Sequence, residues 1–328
     1  MKAINLLWKF KSDDHINSGI VANDDFVYFG SYDEYFYCLQ VDNGRVIWKY
    51  KTNASITSTP VIFKDSIFFG NNAGALYCLN KHDGILNWSY NCGSNITTNI
   101  ISYGESVIFG CWDNNIYSFS TGEPTPNWVF KTDGSVITDL SYNDNKLFLG
   151  GFNNNEDKAM LYSLDAEKGL CIWKKEYDFP SSINPSVFED KCLLIAQANN
   201  KISYIDIKSG EIKDEFNVDD TITSPVCIEN SMGYFGGTSG KIYSIDLNNK
   251  FVNWEFNSNY PIETKPVIIQ DFVFVANNDG RILGFNKAKG EKVFDYTTGD
   301  SVLKSLNTHK TNLFVGSWDS FFYAFKIE

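Results

Sequence analysis

Tyr28-Phe29-Gly30…Phe36-Tyr37-Cys38-Leu39…Asn43-Gly44…Trp48 is followed by Phe68-Phe69-Gly70…Leu76-Tyr77-Cys78-Leu79…Asp83-Gly84…Trp88, the same text displaced by 40 residues. Each unit reads as an aromatic-rich strand ending in Gly, a polar turn, a second aromatic strand, a turn of the Asp-x-x-x-Gly kind, and then Trp. Trp8, Trp48, Trp88, Trp128, Trp173 and Trp254 mark the phase, and Asp214 and Phe294 stand at the same phase in two further units. In the second unit the pattern predicts strands at Ile56–Phe63, Ser66–Gly70, Ala75–Asn80 and Ile85–Tyr90. Between them lie Lys64-Asp65, Asn71-Asn72-Ala73-Gly74 and Lys81-His82-Asp83-Gly84. Asn-Gly and Asp-Gly turns between apolar runs are strong hairpin signals.

A period of about 40 residues with several short strands per unit is the signature of a β-propeller. The whole chain, residues 1–328, is therefore read as one all-β domain, an eight-bladed β-propeller of four-stranded antiparallel blades. The last unit ends at Phe321–Ile327 without an outermost strand, and Ile4–Phe10 has the sequence of one. The chain is expected to be closed by the N-terminal strand, which removes a sheet edge that would otherwise invite aggregation. The fourth unit carries an insertion, Asn153-Asn154-Asn155-Glu156-Asp157-Lys158, expected to lengthen one hairpin.

The repeats resemble the pyrroloquinoline-quinone-type (PQQ-type) propeller repeat. The resemblance rests on Gly236-Gly237-Thr238-Ser239-Gly240-Lys241-Ile242-Tyr243-Ser244-Ile245-Asp246, on Asp83-Gly84-Ile85-Leu86-Asn87-Trp88, and on Thr59-Pro60-Val61 and Ser224-Pro225-Val226. It covers essentially the whole chain. WD40 repeats share the period. However, Trp112-Asp113 and Trp318-Asp319 follow the hairpin Gly rather than ending a third strand, and no Gly-His partner recurs. The resemblance implies that the repeated Trp docks between adjacent blades. It also implies a choice between two branches. Quinoprotein dehydrogenases of this fold are roughly twice as long and carry a vicinal Cys-Cys pair over the quinone together with a calcium site. Here no two cysteines are adjacent, so no cofactor is expected. The other branch is non-catalytic and acts as interaction scaffolds. Its barrel-assembly lipoprotein has a lipobox cysteine near the N-terminus, whereas the first cysteine here is Cys38, inside a strand, so barrel assembly is not carried over.

Composition narrows the function classes. The formal net charge of −12 opposes phosphate backbones and excludes nucleic acid as the expected partner. No run of 18 apolar residues occurs, so no membrane insertion is expected. The seven scattered cysteines lack metal-ligand spacing, and Cys38 and Cys78 read as small core residues. The N-terminus has no apolar leader segment, which reads as cytoplasmic, with a periplasmic or extracellular location as the alternative if a leader has been removed. His15, His82 and His309 fall in turns of different units and read as solvated. No acid–base pair or nucleophile set stands out, so the chain is read as not an enzyme.

In a four-stranded blade the turns between blades and the second hairpin share one face. Sorted that way, Asp13, Asp14, Asp33, Glu34, Asp113, Asp133, Glu156, Asp157, Asp178, Asp219, Asp220, Asp279, Asp300 and Asp319 collect there, with Lys158 as nearly the only base. The same face repeats an aromatic after the hairpin Gly: Tyr32, Trp112, Phe152 and Trp318. Asp33, Asp113, Asn153 and Asp319 follow them. Carboxylates beside exposed aromatics suit cationic peptide segments or sugars. Small polar residues on the innermost strands (Asn17, Ser18, Thr57, Ser58, Thr97, Thr98, Thr138 and Thr223) are read as lining a wet channel. The reading is a monomeric, non-catalytic scaffold for a protein or peptide, with a basic segment favoured. Its binding residues are Tyr32, Asp33, Trp112, Asp113, Phe152, Trp318 and Asp319. The alternative is an enzyme or a carbohydrate or metal-assisted binder at the mouth of the channel.

Overall fold

The computed structural model describes residues 4–136, 138–153, 158–178, 183–190, 192–197 and 200–328. Its strands form eight four-stranded antiparallel blades arranged as a β-propeller. In the second blade the strands are Val61–Phe63, Ser66–Gly70, Ala75–Asn80 and Leu86–Asn91, close to the sequence expectation except that the innermost strand is shorter. The hairpin with the predicted insertion pairs Asn153 with Lys158, and residues 154–157, including Glu156 and Asp157, lie outside the described residues. The chain divides into two compact units of four blades each, Tyr50–Asn217 and Met1–Lys49 with Val218–Glu328.

The last blade is completed as expected. Ile4–Lys11 pairs antiparallel with Phe321–Ile327, from Ile4 opposite Ile327 to Lys11 opposite Phe321. Trp8 then stacks on Phe322 at 5.8 Å, and Phe10 meets Tyr37 of the next blade at 5.2 Å.

Burial follows strand position. Ser66–Gly70 and Ala75–Asn80 are buried almost throughout, so they read as continuous apolar runs rather than alternating ones. The outer strand Leu86–Asn91 keeps the period of two, with Trp88 turned in and its flanking residues out. The core is therefore a set of apolar layers between blades. One such layer joins Phe68, Leu76, Cys78 and Trp88 to Ile96, Phe109 and Phe119. A fully buried side chain of this size contributes roughly 1.5–3 kcal/mol.

Two glycine positions explain the punctuation of the repeat. A Cβ on Gly70 would lie 2.3 Å from Ile96 Cγ2 of the next blade, and the same conflict arises between Gly110 and Val136, Gly236 and Ile262, and Gly316 and Ile16. The glycine that ends the second strand thus makes room for one aliphatic side chain from the following blade. The glycine of the Asp-x-x-x-Gly turn has a different reason. Gly169, Gly210 and Gly290 have φ of +67°, +73° and +70°, a region costly for other residues. A Cβ there would also meet the indole of the preceding blade, as at 2.4 Å from Trp128. The Asp carboxylate closes this turn, with Asp165 accepting from the backbone N–H of Glu167 and Lys168.

The tryptophans dock as the repeat implies. Trp8 donates its indole N–H to the carbonyl of Val41 at 2.7 Å, Trp88 to Thr121 at 3.2 Å, Trp173 to Ile207 at 3.2 Å and Trp254 to Lys287 at 2.9 Å. Trp48 and Trp88 are buried, whereas Trp128 is half-buried and its buried indole N–H has no hydrogen-bond partner. The residue across the sheet from each Trp is small: Cys78 opposite Trp88, Ser118 opposite Trp128, Ser163 opposite Trp173 and Ser244 opposite Trp254. In the fifth blade the sizes are exchanged, with Tyr204 opposite Asp214.

Four of the innermost polar residues require a correction. Ser18, Ser58, Thr98 and Thr138 are buried. Their hydroxyls bond the backbone of the second strand of their own blade, for example Ser58 Oγ with Gly70 N at 2.9 Å and Thr138 Oγ1 with Gly150 O at 3.0 Å. They therefore pin the short inner strand, whose backbone ladder is too brief to do so alone, rather than face a channel.

Candidate functional site

The second hairpin of a blade folds against the loop that enters that blade. Tyr32 N donates to His15 O, Trp112 N to Asn95 O and Trp318 N to Ser301 O, at 2.9–3.0 Å. The aromatic position is thus held by backbone, independent of side-chain type, which is why Asn72, Thr238 and Asn278 occupy it in other blades with the same bond.

In the unit formed by Met1–Lys49 and Val218–Glu328 this arrangement brings three rings together. His15 stacks on Trp318 with centroids 5.1 Å apart and planes 13° apart, and its Nδ1 bonds the Trp318 carbonyl. Tyr32 lies 6.2 Å from His15 and 6.4 Å from Trp318. Asp14 is 3.7 Å from the His15 ring, and both side chains are about half exposed. Asp13 and Asp300 are exposed in the same loops. The Trp318 indole N–H is buried without a partner. The sequence places His15 in a solvated turn, whereas the structure stacks it on Trp318. The missing signal is that the loop before the first blade packs on the hairpin of the last one.

Trp112 and Phe152 belong to the other unit. Trp112 is 44% exposed and donates its indole N–H to Thr97 Oγ1 at 2.8 Å. Phe152 is half-buried in the strand Lys146–Asn153 and bridges Ser135. No contact brings Trp112 and Phe152 together among the described residues.

Asp33, Asp113 and Asp319 share one geometry. One carboxylate oxygen accepts the backbone N–H two residues on, at Tyr35, Asn115 and Phe321. The other accepts a phenol four residues on: Tyr37 at 2.6 Å, Tyr117 at 2.5 Å and Tyr323 at 2.6 Å. Asp33 also accepts from Asp13 N, and Asp319 from Gly299 N, in the entering loops. These carboxylates brace the hairpins. Burial first, and then the adjacent carboxylate, pushes all three phenols well above the ordinary value. The unfolded chain loses these protons first, so this contribution to stability is complete below about pH 10 and falls as pH rises further. An alkaline titration followed by ultraviolet absorbance should therefore leave these three of the 18 tyrosines protonated until unfolding. Reversible ionisation of every tyrosine near pH ~10 in the folded protein would contradict this.

The charge of the loops is less one-sided than the loop residues alone imply. Lys174 pairs with Asp133 at 2.9 Å and Lys241 with Asp219 at 2.7 Å, each pairing holding its carboxyl below the usual range. Asp220 is buried and accepts Ser239 N at 3.1 Å. Both lysines lie on strands, Lys174 within Cys171–Tyr177 and Lys241 at the start of Lys241–Asp246, which sorting charges by loop overlooks.

No group of three or more His, Cys, Asp or Glu side chains among the described residues is placed to hold a metal ion. His82 faces Asp65 and His309 faces Asp24. Together with the lack of adjacent cysteines, this donor set does not fit a calcium–quinone site of the kind the repeat's dehydrogenases carry.

Eight blades, with Trp8, Trp128, Trp173 and Trp254 seated on the Gly turn of the blade that follows, define a β-propeller of the PQQ-type repeat. The family model described as outer membrane protein assembly factor BamB matches residues 5–125, 113–296 and 215–318, and the chain belongs to that family. Among solved structures it is similar to BamB from Moraxella catarrhalis, at 16% identity and a TM-score of 0.83 over 99% of this chain and 100% of that one. It is also similar to the computationally designed Ika8 protein, at 14% identity and a TM-score of 0.83 over 97% and 98% of the two chains. A third similar structure is quinohemoprotein alcohol dehydrogenase ADHIIG from Pseudomonas putida HK5, at 13% identity and a TM-score of 0.80 over 99% of this chain and 76% of that one. At these identities the likeness establishes the fold. No curated protein sequence matches the chain. No helix among the described residues is long and apolar enough to cross a membrane.

Proposed function

We propose that the protein is a non-catalytic scaffold that binds a protein or peptide segment, and that the loops carrying His15, Tyr32 and Trp318 are a working surface. The observation that carries this reading is the three-ring cluster, with a carboxylate rim of the exposed Asp13 and Asp300 and the half-exposed Asp14. Stacked rings beside solvent-facing carboxylates attract an Arg or Lys side chain through the ring face and through charge at once. Asp33 and Asp319 enter the proposal as braces that fix the rings. Trp112, with Asp113 bracing its hairpin, and Phe152 are proposed as further contacts in the other unit. Membership of the family supports a scaffold, and its name, an outer membrane assembly factor, supports the extracytoplasmic alternative over a cytoplasmic location.

The enzyme alternative has the fold of ADHIIG in its favour and the donor set against it. Selection of peptides from a random library on the folded chain separates the two. Enriched peptides should combine Lys or Arg with an aromatic, and their affinity should fall as salt rises, since exposed charges are screened over about 8 Å at physiological ionic strength. Selection of no peptide, or of sequences whose affinity ignores salt, would count against the proposal.

A further inference from the structure

The repeat supplies its own control for one pair of side chains. The first residue after an outer strand is Ser12, Thr52, Thr132, Ser258 or Thr298 in five units. Its hydroxyl ties off the loop, as when Thr298 Oγ1 donates to Gly280 O at 2.9 Å and Asp300 O at 2.6 Å. The residue after the hairpin-forming Gly or Ala of the following blade is polar in five units, as Ser31, Asn71, Gln197, Asn277 and Ser317. The two positions touch: Ser317 Oγ bonds Thr298 Oγ1 at 3.3 Å, and Asn277 Nδ2 bonds Ser258 Oγ at 3.3 Å.

Between the second and third blades both positions change together, to Cys92 and Cys111. The thiols keep the old pattern in outline. Cys92 Sγ lies 3.1 Å from Gly74 O, and Cys111 Sγ lies 3.2 Å from Ser94 O. The two sulfurs are 3.0 Å apart. Two thiols replacing a hydrogen-bonded pair, facing each other across an interblade seam, have an obvious chemistry, and the other five cysteines have no such neighbour in sequence phase.

We infer that Cys92 and Cys111 are a thiol pair that closes to a disulfide, cross-linking the loop that enters the third blade to the second strand of that blade. The S–S bond is about 2.05 Å long, so closure needs the sulfurs to approach by roughly 1 Å. Cys92 is half-buried and Cys111 fully buried, so an external disulfide reaches Cys92 first. The Cys92 thiolate attacks one sulfur of that disulfide and releases its other half as a thiol. The Cys111 thiolate then attacks the Cys92 sulfur of the mixed disulfide and displaces the second half. Two thiols lose two protons and two electrons, and the external disulfide is reduced to two thiols. Hydrogen bonding from Cys111 lowers the Cys92 thiol and the same contact raises Cys111, which assigns the attacking role to the same residue as exposure does. Such a bond would persist in an oxidising compartment and open in a reducing one.

The inference is independent of the binding proposal. Its test equilibrates the full chain with oxidised glutathione or with excess dithiothreitol, then alkylates under denaturing conditions and maps peptides by mass spectrometry. Oxidation should leave five of the seven cysteines alkylatable, with the Cys92 and Cys111 peptides joined. The oxidised form should melt about 5 °C higher than the reduced one, the shift expected for closing a loop of this length in a protein of this size. The double variant Cys92→Thr with Cys111→Ser restores the pair used in other blades. It should fold, and should lose the difference between the two conditions. Seven alkylatable thiols after oxidation, a joined pair involving another cysteine, or a melting difference that persists in the double variant would each overturn the inference.

Discussion

Replacing Trp88 by Ala is expected to lower the unfolding free energy by about 3–5 kcal/mol, the range for truncating a large buried aromatic. The indole fills the seam between the second and third blades, 5.8 Å from Phe68 on its own sheet and 5.9 Å from Phe119 on the next. No small neighbour can move in, because Cys78 opposite it is already packed. Trp88→Phe separates the two contributions. It keeps most of the ring volume and removes only the bond to Thr121 O, so it should cost about 1 kcal/mol plus whatever the smaller ring fails to fill. Phe294 at the equivalent phase of the seventh blade indicates that a phenyl ring can hold the position. Urea unfolding of both variants checks this. A loss below about 1 kcal/mol for the Ala variant would contradict the wedge role.

Removing residues 1–11 should have the largest effect of all, because it takes away a whole strand. The register from Ile4 opposite Ile327 to Lys11 opposite Phe321 supplies the outer edge of the last blade, and Trp8 carries the seam contact to Val41 and over Gly44. The truncated chain would present Phe321–Ile327 as an unpaired apolar edge, a template for association with other chains. The expected result is a lower melting temperature and soluble oligomers or precipitate in light scattering. A synthetic peptide spanning Ile4–Lys11, added in excess, should restore the monomer by strand addition. A truncated protein that stays monomeric and melts unchanged would show that the strand is dispensable.

The architecture was legible because its determinants are local and repeated. The Gly of the Asp-x-x-x-Gly turn, the Gly closing the second strand and the outer Trp recur in phase, and each records a contact made again and again between successive blades. Even the exceptions carry a signal: Asp214 lacks the Trp volume, and Tyr204 across the sheet supplies it. The site was less legible because its contacts join loops of different repeats. Nothing in the sequence around His15 says that Trp318, at the far end of the chain, stacks on it. The aspartates following the aromatics read as free carboxylates. Their engagement appears only when the hairpin brings a phenol four residues on within 2.6 Å, as for Tyr37 and Tyr323. Ser18, Ser58, Thr98 and Thr138 misled for a related reason: polar residues on an inner strand suggest water, yet the strands there are so short that side chains must complete the ladder. Cys92 and Cys111 each look like a scattered core thiol, and only their joint substitution of a recurring contact distinguishes them.

The measurement that tests the central claim most directly is the affinity of a selected basic–aromatic peptide for the wild-type chain and for the double variant Tyr32→Ala with Trp318→Ala, with folding verified by circular dichroism and by an unchanged oligomeric state. The scaffold account predicts a loss of tenfold or more in affinity, corresponding to about 1.4 kcal/mol, expressed mainly as faster dissociation because ring anchors control departure while charge controls approach. Unchanged affinity in a folded double variant would contradict it and remove this cluster as the working surface.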